Sequence, residues 1–493
     1  MIEEGRFLTI DLGAESGRAV LGNIANDRLQ LHDLHRFANE PQWILGNFHW
    51  DTVRLFADIK IGIRLACHEN SALDGIGIDT WGVDFALLNA RDECLGLPYH
   101  YRDHRTDGVM EKTFDIVPRS EIYNATGIQF MQLNSIFQLM AMRLENSGQL
   151  DQARSLLFTP DLLHFWLTGE KANEFTIATT SQCFDPVKNS WAIPVLEKLG
   201  IPTSIFGNII QPGTVLGPLH SSVRNDTGAG PIPVIVPATH DTGSAVAGVP
   251  AKQKSGWAYI SCGTWSLVGI ETPAPIITEL TFEYNFTNEG GVDGTYRLLR
   301  NVMGLWLLQQ CRRSWERAGN CFDYSELAAL TAKSEKFVAF VDPDSDAFFN
   351  PLDMPAAIAD FCWRTGQTVP VGPAAISRCI IESLALKFCW VIAKLEEITG
   401  NSIDTIHIIG GGCRNRELCQ ATADATSRRV VAGPVEATAA GNIMVQAIAA
   451  GKIGDIAEGR AMIARSFEME EYLPIHTDAW AESKERFQSL IGR

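Results

Sequence analysis

Apolar and polar positions follow two periods along this chain, and the two alternate. Phe7-Leu-Thr-Ile-Asp-Leu12 and Arg18-Ala-Val-Leu21 are mostly apolar runs on either side of a glycine-bearing turn, which predicts strand, turn, strand. Trp257–Cys262 and Ser266–Ile270 repeat the form: Gly13 matches Gly263 and Ser16 matches Ser266, at an offset of 250. A second pair of apolar runs, Leu73–Asp79 and Ile403–Ile409, leads into the loops Thr80-Trp-Gly82 and Gly410-Gly-Gly412. A buried strand over 234–236 is predicted to end at His240-Asp-Thr-Gly243. Helical spacing places Val53, Phe56, Ile59, Ile63 and Ala66 on one face of a helix capped by Asp51. A longer helix over 376–398 is closed by Gly400, and another opens at Val435 after Pro434.

Strand, glycine turn and helix alternate through both halves, so the class is α/β. Recurrence at half the chain length predicts a duplicated αβ domain, against the alternative of two hairpins alike by chance. The boundary is expected within 245–255, where Gly248-Val-Pro-Ala-Lys-Gln-Lys-Ser-Gly256 separates apolar runs, giving domains 1–248 and 249–493.

Composition narrows the partners. The 493 residues are 46% apolar and 20% charged, with a net charge of −17, which suits a globular protein. That charge argues against a broad nucleic-acid or anionic-membrane surface. It leaves a local phosphate site open, since backbone N–H groups bind phosphate without net charge. No cationic, then apolar, leader is seen at Met1–Arg6, and no run nears the roughly 18 apolar residues of a membrane helix. Eleven cysteines without a Cys-x-x-Cys pattern point to a reducing, cytoplasmic setting. Cys362 and Cys379 are close enough in sequence to meet, and buried free thiols are the expectation for them.

The familiar nucleotide signatures are absent: no G-x-x-x-x-G-K-[ST], no G-x-G-x-x-G and no protein-kinase set. The candidate phosphate cradle is the repeated hairpin, whose glycines and small hydroxyls can aim N–H groups at a phosphate. Asp11, just before the first turn, is placed to hold a hydrated Mg²⁺; the plainer alternative is an ordinary hairpin with an edge carboxylate. Asp241 stands at a strand end next to a helix start, as an N-cap or as a group facing a site. His240 alone reads more readily as a polar core residue than as a catalyst. Trp81 beside Gly82 offers an aromatic face to a sugar, or core packing. His100 and His104 stand four apart, but with no third ligand in view a metal pair is set aside.

Taken in order, these segments resemble the FGGY carbohydrate kinases, a branch of the actin, hexokinase and Hsp70-like superfamily. The likeness spans about Ile10 to Gly441 through Asp11–Arg18, Gly77–Phe85, Tyr101–Thr106, Thr126–Phe130, His240–Ala245, Ser261–Ser266, Asn288–Gly291, Asn301–Gln309 and Gly410–Cys413. The resemblance implies two ribonuclease-H-like domains with ATP and sugar in an interdomain cleft. By carry-over, Ala14, Glu15, Ser16, Gly17 and Arg18 would line the triphosphate, with Thr264, Gln309 and Gly411 meeting the nucleotide from the second domain. Gly82, His240, Asp241, Thr242 and Asn301 would hold the sugar, Asp241 would be the catalytic base, and Asp11 would anchor Mg²⁺. His240 and Ala14 depart from many family members, which have glycine before the aspartate and a hydroxyl residue after the first-loop glycine. Both traits fit the branch that phosphorylates L-rhamnulose at O1, and they weaken glycerol or xylulose as substrate. A small ketose would be the partner, with no nucleic acid and no membrane. Two other readings stay open: a kinase for another ketose such as L-fuculose, and an actin- or Hsp70-like ATPase whose output is conformational.

Overall fold

A computed structural model describes residues 2–68, 72–253 and 255–492; Met1 and, within the expected linker, Lys254 lie outside the described residues. The chain forms two compact units, each drawn from separated segments. One comprises 1–252, 271–298 and 437–466; the other comprises 253–270, 299–436 and 467–493.

In the first unit the strand Gly5–Leu12 pairs antiparallel with Ser16–Ala25 and parallel with Gly75–Thr80. Pro233–Ile235 adds a further parallel strand, and Val215–Pro218 closes that edge antiparallel. The second unit repeats this. Trp257–Cys262 pairs antiparallel with Trp265–Thr272 and parallel with Thr405–Ile409, followed by parallel Arg429–Ala432 and antiparallel Glu470–Tyr472. The parallel central strands are buried along nearly their whole length, as sheets covered on both faces require.

The register corrects one detail of the sequence match. Leu12 pairs with Gly17 across the first turn, but Cys262 pairs with Ser266 across the second. Gly13 N–H donates to the Ser16 carbonyl, and Gly263 N–H donates to the Trp265 carbonyl. The second turn is therefore one residue shorter, and Ser16 corresponds to Trp265 rather than Ser266. A one-residue change reverses the facing of every later side chain, so the offset of 250 does not carry past the turn.

The helix after Asp51 runs Thr52–His68, with Asp51 Oδ1 accepting from Arg54 N–H. Its buried face is Thr52, Leu55, Ile59, Gly62, Ile63 and Ala66, whereas Val53 is exposed. Gly62 sets that rotation: a Cβ there would collide with Ala19 of the sheet. The long helix is Gly372–Thr399 and ends, as expected, on left-handed Gly400 (φ +67°). The helix expected at Val435 begins at Ala437. All eleven cysteines are free; Cys362 and Cys379 are buried in contact, and a hydrogen bond from Cys379 lowers the Cys362 pKa. No helix among the described residues is long and apolar enough to cross a membrane.

Candidate functional site

In the first unit the sheet brings three carboxylates toward one end. Asp11 lies opposite Arg18 on one side and Asp79 on the other. Arg18 donates from Nε and Nη2 to Asp11 Oδ2, at 3.0 and 2.7 Å. Asp79 is fully buried; Asn442 Nδ2 donates to its Oδ2 at 2.5 Å, and its Oδ1 has no partner among the described residues. Burial first, then the Asp11 and Asp241 charges, push the Asp79 pKa well up. The turn itself is pinned by Asn39, whose side chain donates to the Gly13 carbonyl and whose backbone N–H donates to the Glu15 carbonyl. Ala14 is half-buried, and Glu15 and Ser16 are exposed at the tip. Gly17 is buried against Phe37, where a side chain would collide with the ring.

Asp241 opens the helix Asp241–Ala247. Its side chain is 31% exposed and accepts at Oδ1 from Thr242 N–H (2.5 Å) and Oγ1 (3.2 Å), with His240 Nε2 3.4 Å away. It is recessed rather than sealed, and desolvation raises its pKa; His240 opposes this and Asp11 adds to it. His240 and Thr242 are buried beside it.

The helix Phe175–Thr180, which sequence reasoning missed, ties three separate site segments together. Glu174 caps it, accepting from Thr176 and Ile177 N–H at 2.8 and 3.1 Å. The same carboxylate accepts from Thr239 N–H (3.2 Å) and Oγ1 (2.6 Å), one residue before His240. Thr176 Oγ1 accepts from His240 N–H, Thr179 Oγ1 from Gly290 N–H and Thr180 Oγ1 from Val83 N–H, at 3.2, 2.8 and 3.1 Å. One turn and a half of helix thus sets the backbone at 82–83, 239–240 and 289–290. The only local signal is a run of hydroxyls after a glutamate.

Gly82 lies against Thr180. Trp81 is buried and packs on Trp50 at 3.9 Å between ring centroids, so its packing role is the one the fold uses. Asp84 is an acceptor hub: Trp50 Nε1 (2.6 Å), Trp81 Nε1 (3.0 Å) and Tyr101 N–H (3.2 Å) donate to Oδ2, and Gln138 Nε2 (2.8 Å) donates to Oδ1. Burial nevertheless raises its pKa to about 6. An acid whose pKa rises on folding holds its proton more tightly in the native state. Native stability contributed by this group therefore falls as pH rises from the unfolded value near 3.8 to about 6, and is flat above. The unfolding free energy of the wild type relative to Asp84→Asn should decline across that window by denaturant titration; a rise across it would refute the assignment.

His100, buried on Trp50, has its pKa lowered to about 3 by desolvation and Arg102, and accepts at Nδ1 from Arg102 N–H. His104 is exposed and faces Asp107 instead.

In the second unit, Thr264 sits in the hairpin turn, and its carbonyl accepts from Gly304 and Trp306 N–H at 3.1 and 3.2 Å. Trp306 starts the helix Trp306–Arg317, whose first turn carries Gln309 with a buried Oε1 that lacks a partner among the described residues. Gly410, at φ +78°, and Gly412 press on Cys262 of the hairpin, while Gly411 has open space where a side chain would go. Thr264 is thus tied to the start of the helix that carries Gln309, and Gly410 and Gly412, on either side of Gly411, meet Cys262 of the same hairpin. Asn301 lies on the strand Tyr296–Met303 that leads to Gly304.

The N-terminal domain of the FGGY family of carbohydrate kinases matches residues 6–248, and its C-terminal domain matches 258–450. The chain belongs to the FGGY family of carbohydrate kinases. A rhamnulokinase of Bacteroides thetaiotaomicron is 44% identical over 98% of this chain and 99% of its own. One from Oceanobacillus iheyensis is 41% identical over 95% and 98%. Among solved structures, the ligand-bound xylulose kinase of Lactobacillus acidophilus aligns with a TM-score of 0.82 at 15% identity, over 99% of this chain and 98% of that one. The Plasmodium falciparum glycerol kinase with ADP aligns with a TM-score of 0.77 at 16% identity, over 99% and 97%. The fold is therefore the two-domain FGGY kinase fold, and the chain is a carbohydrate kinase whose substrate is a small sugar.

In a kinase of this family the orphaned oxygen of Asp79 acquires a meaning. A buried carboxylate oxygen without a donor, beside Asp11 and electrostatically coupled to Asp241, fits a hydrated divalent cation.

Proposed function

We propose that this FGGY kinase transfers the γ-phosphoryl group of ATP to the 1-hydroxyl of L-rhamnulose, giving L-rhamnulose 1-phosphate, ADP and a proton, in a cytoplasmic setting. Full-length similarity to proteins named rhamnulokinase, at 41–44% identity, supports the sugar. The observation that carries the chemistry is Asp241. It is a partly exposed carboxylate fixed at a helix N-terminus by Thr242 and flanked by His240.

Asp241 orients the acceptor hydroxyl and takes its proton late, as the oxygen becomes acidic on bonding to phosphorus. Its raised pKa, driven first by desolvation, makes it a better base than an ordinary aspartate. Asp11, assisted by Asp79, would hold Mg²⁺, which when bound neutralises charge on the phosphates. Arg18 would exchange its Asp11 partner for phosphate oxygens, and Ala14–Gly17, Thr264, Gln309 and Gly411 would meet the nucleotide. Gly82, His240, Thr242 and Asn301 would hold the sugar.

A coupled ADP-release assay over a panel of ketoses and polyols with Mg·ATP tests this. We expect L-rhamnulose to give the highest kcat/KM and to raise ATP consumption well above the basal rate. Turnover of glycerol or xylulose without rhamnulose would overturn the substrate, and ATP consumption indifferent to sugar would favour a conformational ATPase.

A further inference from the structure

His240 does not stand alone beside Asp241. Behind it lies Arg297, whose side chain is fully buried. Arg297 Nε donates to the Gly290 carbonyl at 2.8 Å, and Nη2 lies 3.2 Å from Glu289 Oε2. The same Nη2 lies 3.1 Å from His240 Nδ1 in hydrogen-bonding geometry, with Glu289 Oε2 3.3 Å from that nitrogen. A buried guanidinium is tolerated only when paired, and Glu289 supplies the opposite charge.

The identity of the donor decides the tautomer. Guanidinium has donors only and does not lose its proton in proteins. A hydrogen bond from Arg297 to Nδ1 therefore requires a lone pair on Nδ1. The single proton of neutral imidazole then sits on Nε2, the nitrogen 3.4 Å from Asp241 Oδ1. The opposite tautomer would let Nδ1–H donate to Glu289 Oε2 at 3.3 Å, but it would set a ring N–H against the donor-only Arg297 Nη2 and turn an Nε2 lone pair toward the Asp241 carboxylate, two clashes against one bond. We propose that Arg297, its charge balanced by Glu289, is a positioning residue that holds His240 as the Nε2–H tautomer, so that the imidazole presents a donor to Asp241 and to the sugar oxygen Asp241 orients.

The backbone reinforces this. His240 N–H is held by Thr176 Oγ1 and Gly290 N–H by Thr179 Oγ1, so both sides of the contact are anchored to one helix. The sequence hides the arrangement, because 57 positions separate His240 from Arg297.

This inference rests on Asp241 as the base of the kinase reaction, and its test can be read without turnover. Histidine-selective ¹⁵N labelling, with His240 assigned by its loss in His240→Gln, should show a pyridine-type shift at Nδ1 and a pyrrole-type shift at Nε2. In Arg297→Met the Nδ1 proton should appear, shared with Glu289. kcat should fall on the order of 10- to 100-fold while KM for ATP stays within about twofold. Arg297→Lys keeps a donor and should retain the wild-type tautomer and recover part of kcat. A wild-type spectrum with Nδ1 protonated overturns the proposal even if every variant fails to fold, as does an unchanged tautomer in Arg297→Met. If the spectrum is as expected but no sugar is phosphorylated, the assigned reaction fails and the tautomer assignment stands.

Discussion

Asp241→Asn is expected to lower kcat by roughly 10²–10⁴-fold while Kd for Mg·ATP changes less than about threefold. Asparagine matches aspartate in shape, and its carbonyl can still accept from Thr242 N–H, as Asp241 Oδ1 does. The first turn of the Asp241–Ala247 helix should therefore keep that hydrogen bond. What is lost is the proton acceptor, together with one negative charge next to Asp11 and Asp79. Relief of that repulsion should if anything help a triphosphate bind, so a loss confined to kcat separates base chemistry from binding. Coupled ADP release gives kcat and calorimetric titration gives Kd. A variant keeping more than about a tenth of wild-type kcat would remove Asp241 from the role. In the wild type, the acid limb of the kcat/KM profile should lie above the ordinary aspartate value, following the raised pKa of Asp241.

Gly441→Ala is expected to destabilise the protein by about 3 kcal/mol, the upper part of the overpacking range. The thermal midpoint should fall by about 3–5 °C for a unit of this size. In the interior of an ordinary helix this change is favourable by about 1 kcal/mol, so the sign is diagnostic. The reason lies in a helix crossing. A Cβ at Gly441 would land on the Ser244 carbonyl oxygen, and one at Gly248 would lie 2.5 Å from the Ala437 carbonyl oxygen. Both obstacles are backbone, which cannot rotate away. The helices Asp241–Ala247 and Ala437–Ala449 would have to separate, and the first of them carries Asp241. Activity should fall alongside stability. A midpoint unchanged or raised in a melting experiment would show that the crossing is looser than described.

The fold class, the repeated hairpins and the location of Asp241 could be read before any coordinates. Each depends on features a few residues apart: apolar runs of strand length, a glycine at a turn, a carboxylate between strand and helix. The helix over 376–398 was legible for the same reason, down to Gly400 at its end. Val53 was misjudged because Gly62 lets the helix press on Ala19, and only the packed sheet reveals that rotation. The match of Ser16 to Ser266 failed because turn length is set by backbone hydrogen bonds that the spacing of similar residues does not show. For the candidate site, the sequence singled out Asp241 and His240 one by one, carried Asp79 and Glu289 only inside the segments of resemblance, and showed no sign of Glu174 or Arg297. Their meaning lies in partners, and those partners come from elsewhere in the chain.

By itself, then, the sequence determined the local elements, the duplication and the residue types able to move a proton and meet a phosphate. Only the tertiary structure decided which buried polar groups face one another. Glu174 reaches Thr239 across 65 positions, and Asn442 reaches Asp79 across 363. Secondary structure is encoded by neighbours and periodicity, whereas a buried charge is settled by whichever donor the packed chain delivers to it. Burying that charge unpaired costs several kcal/mol.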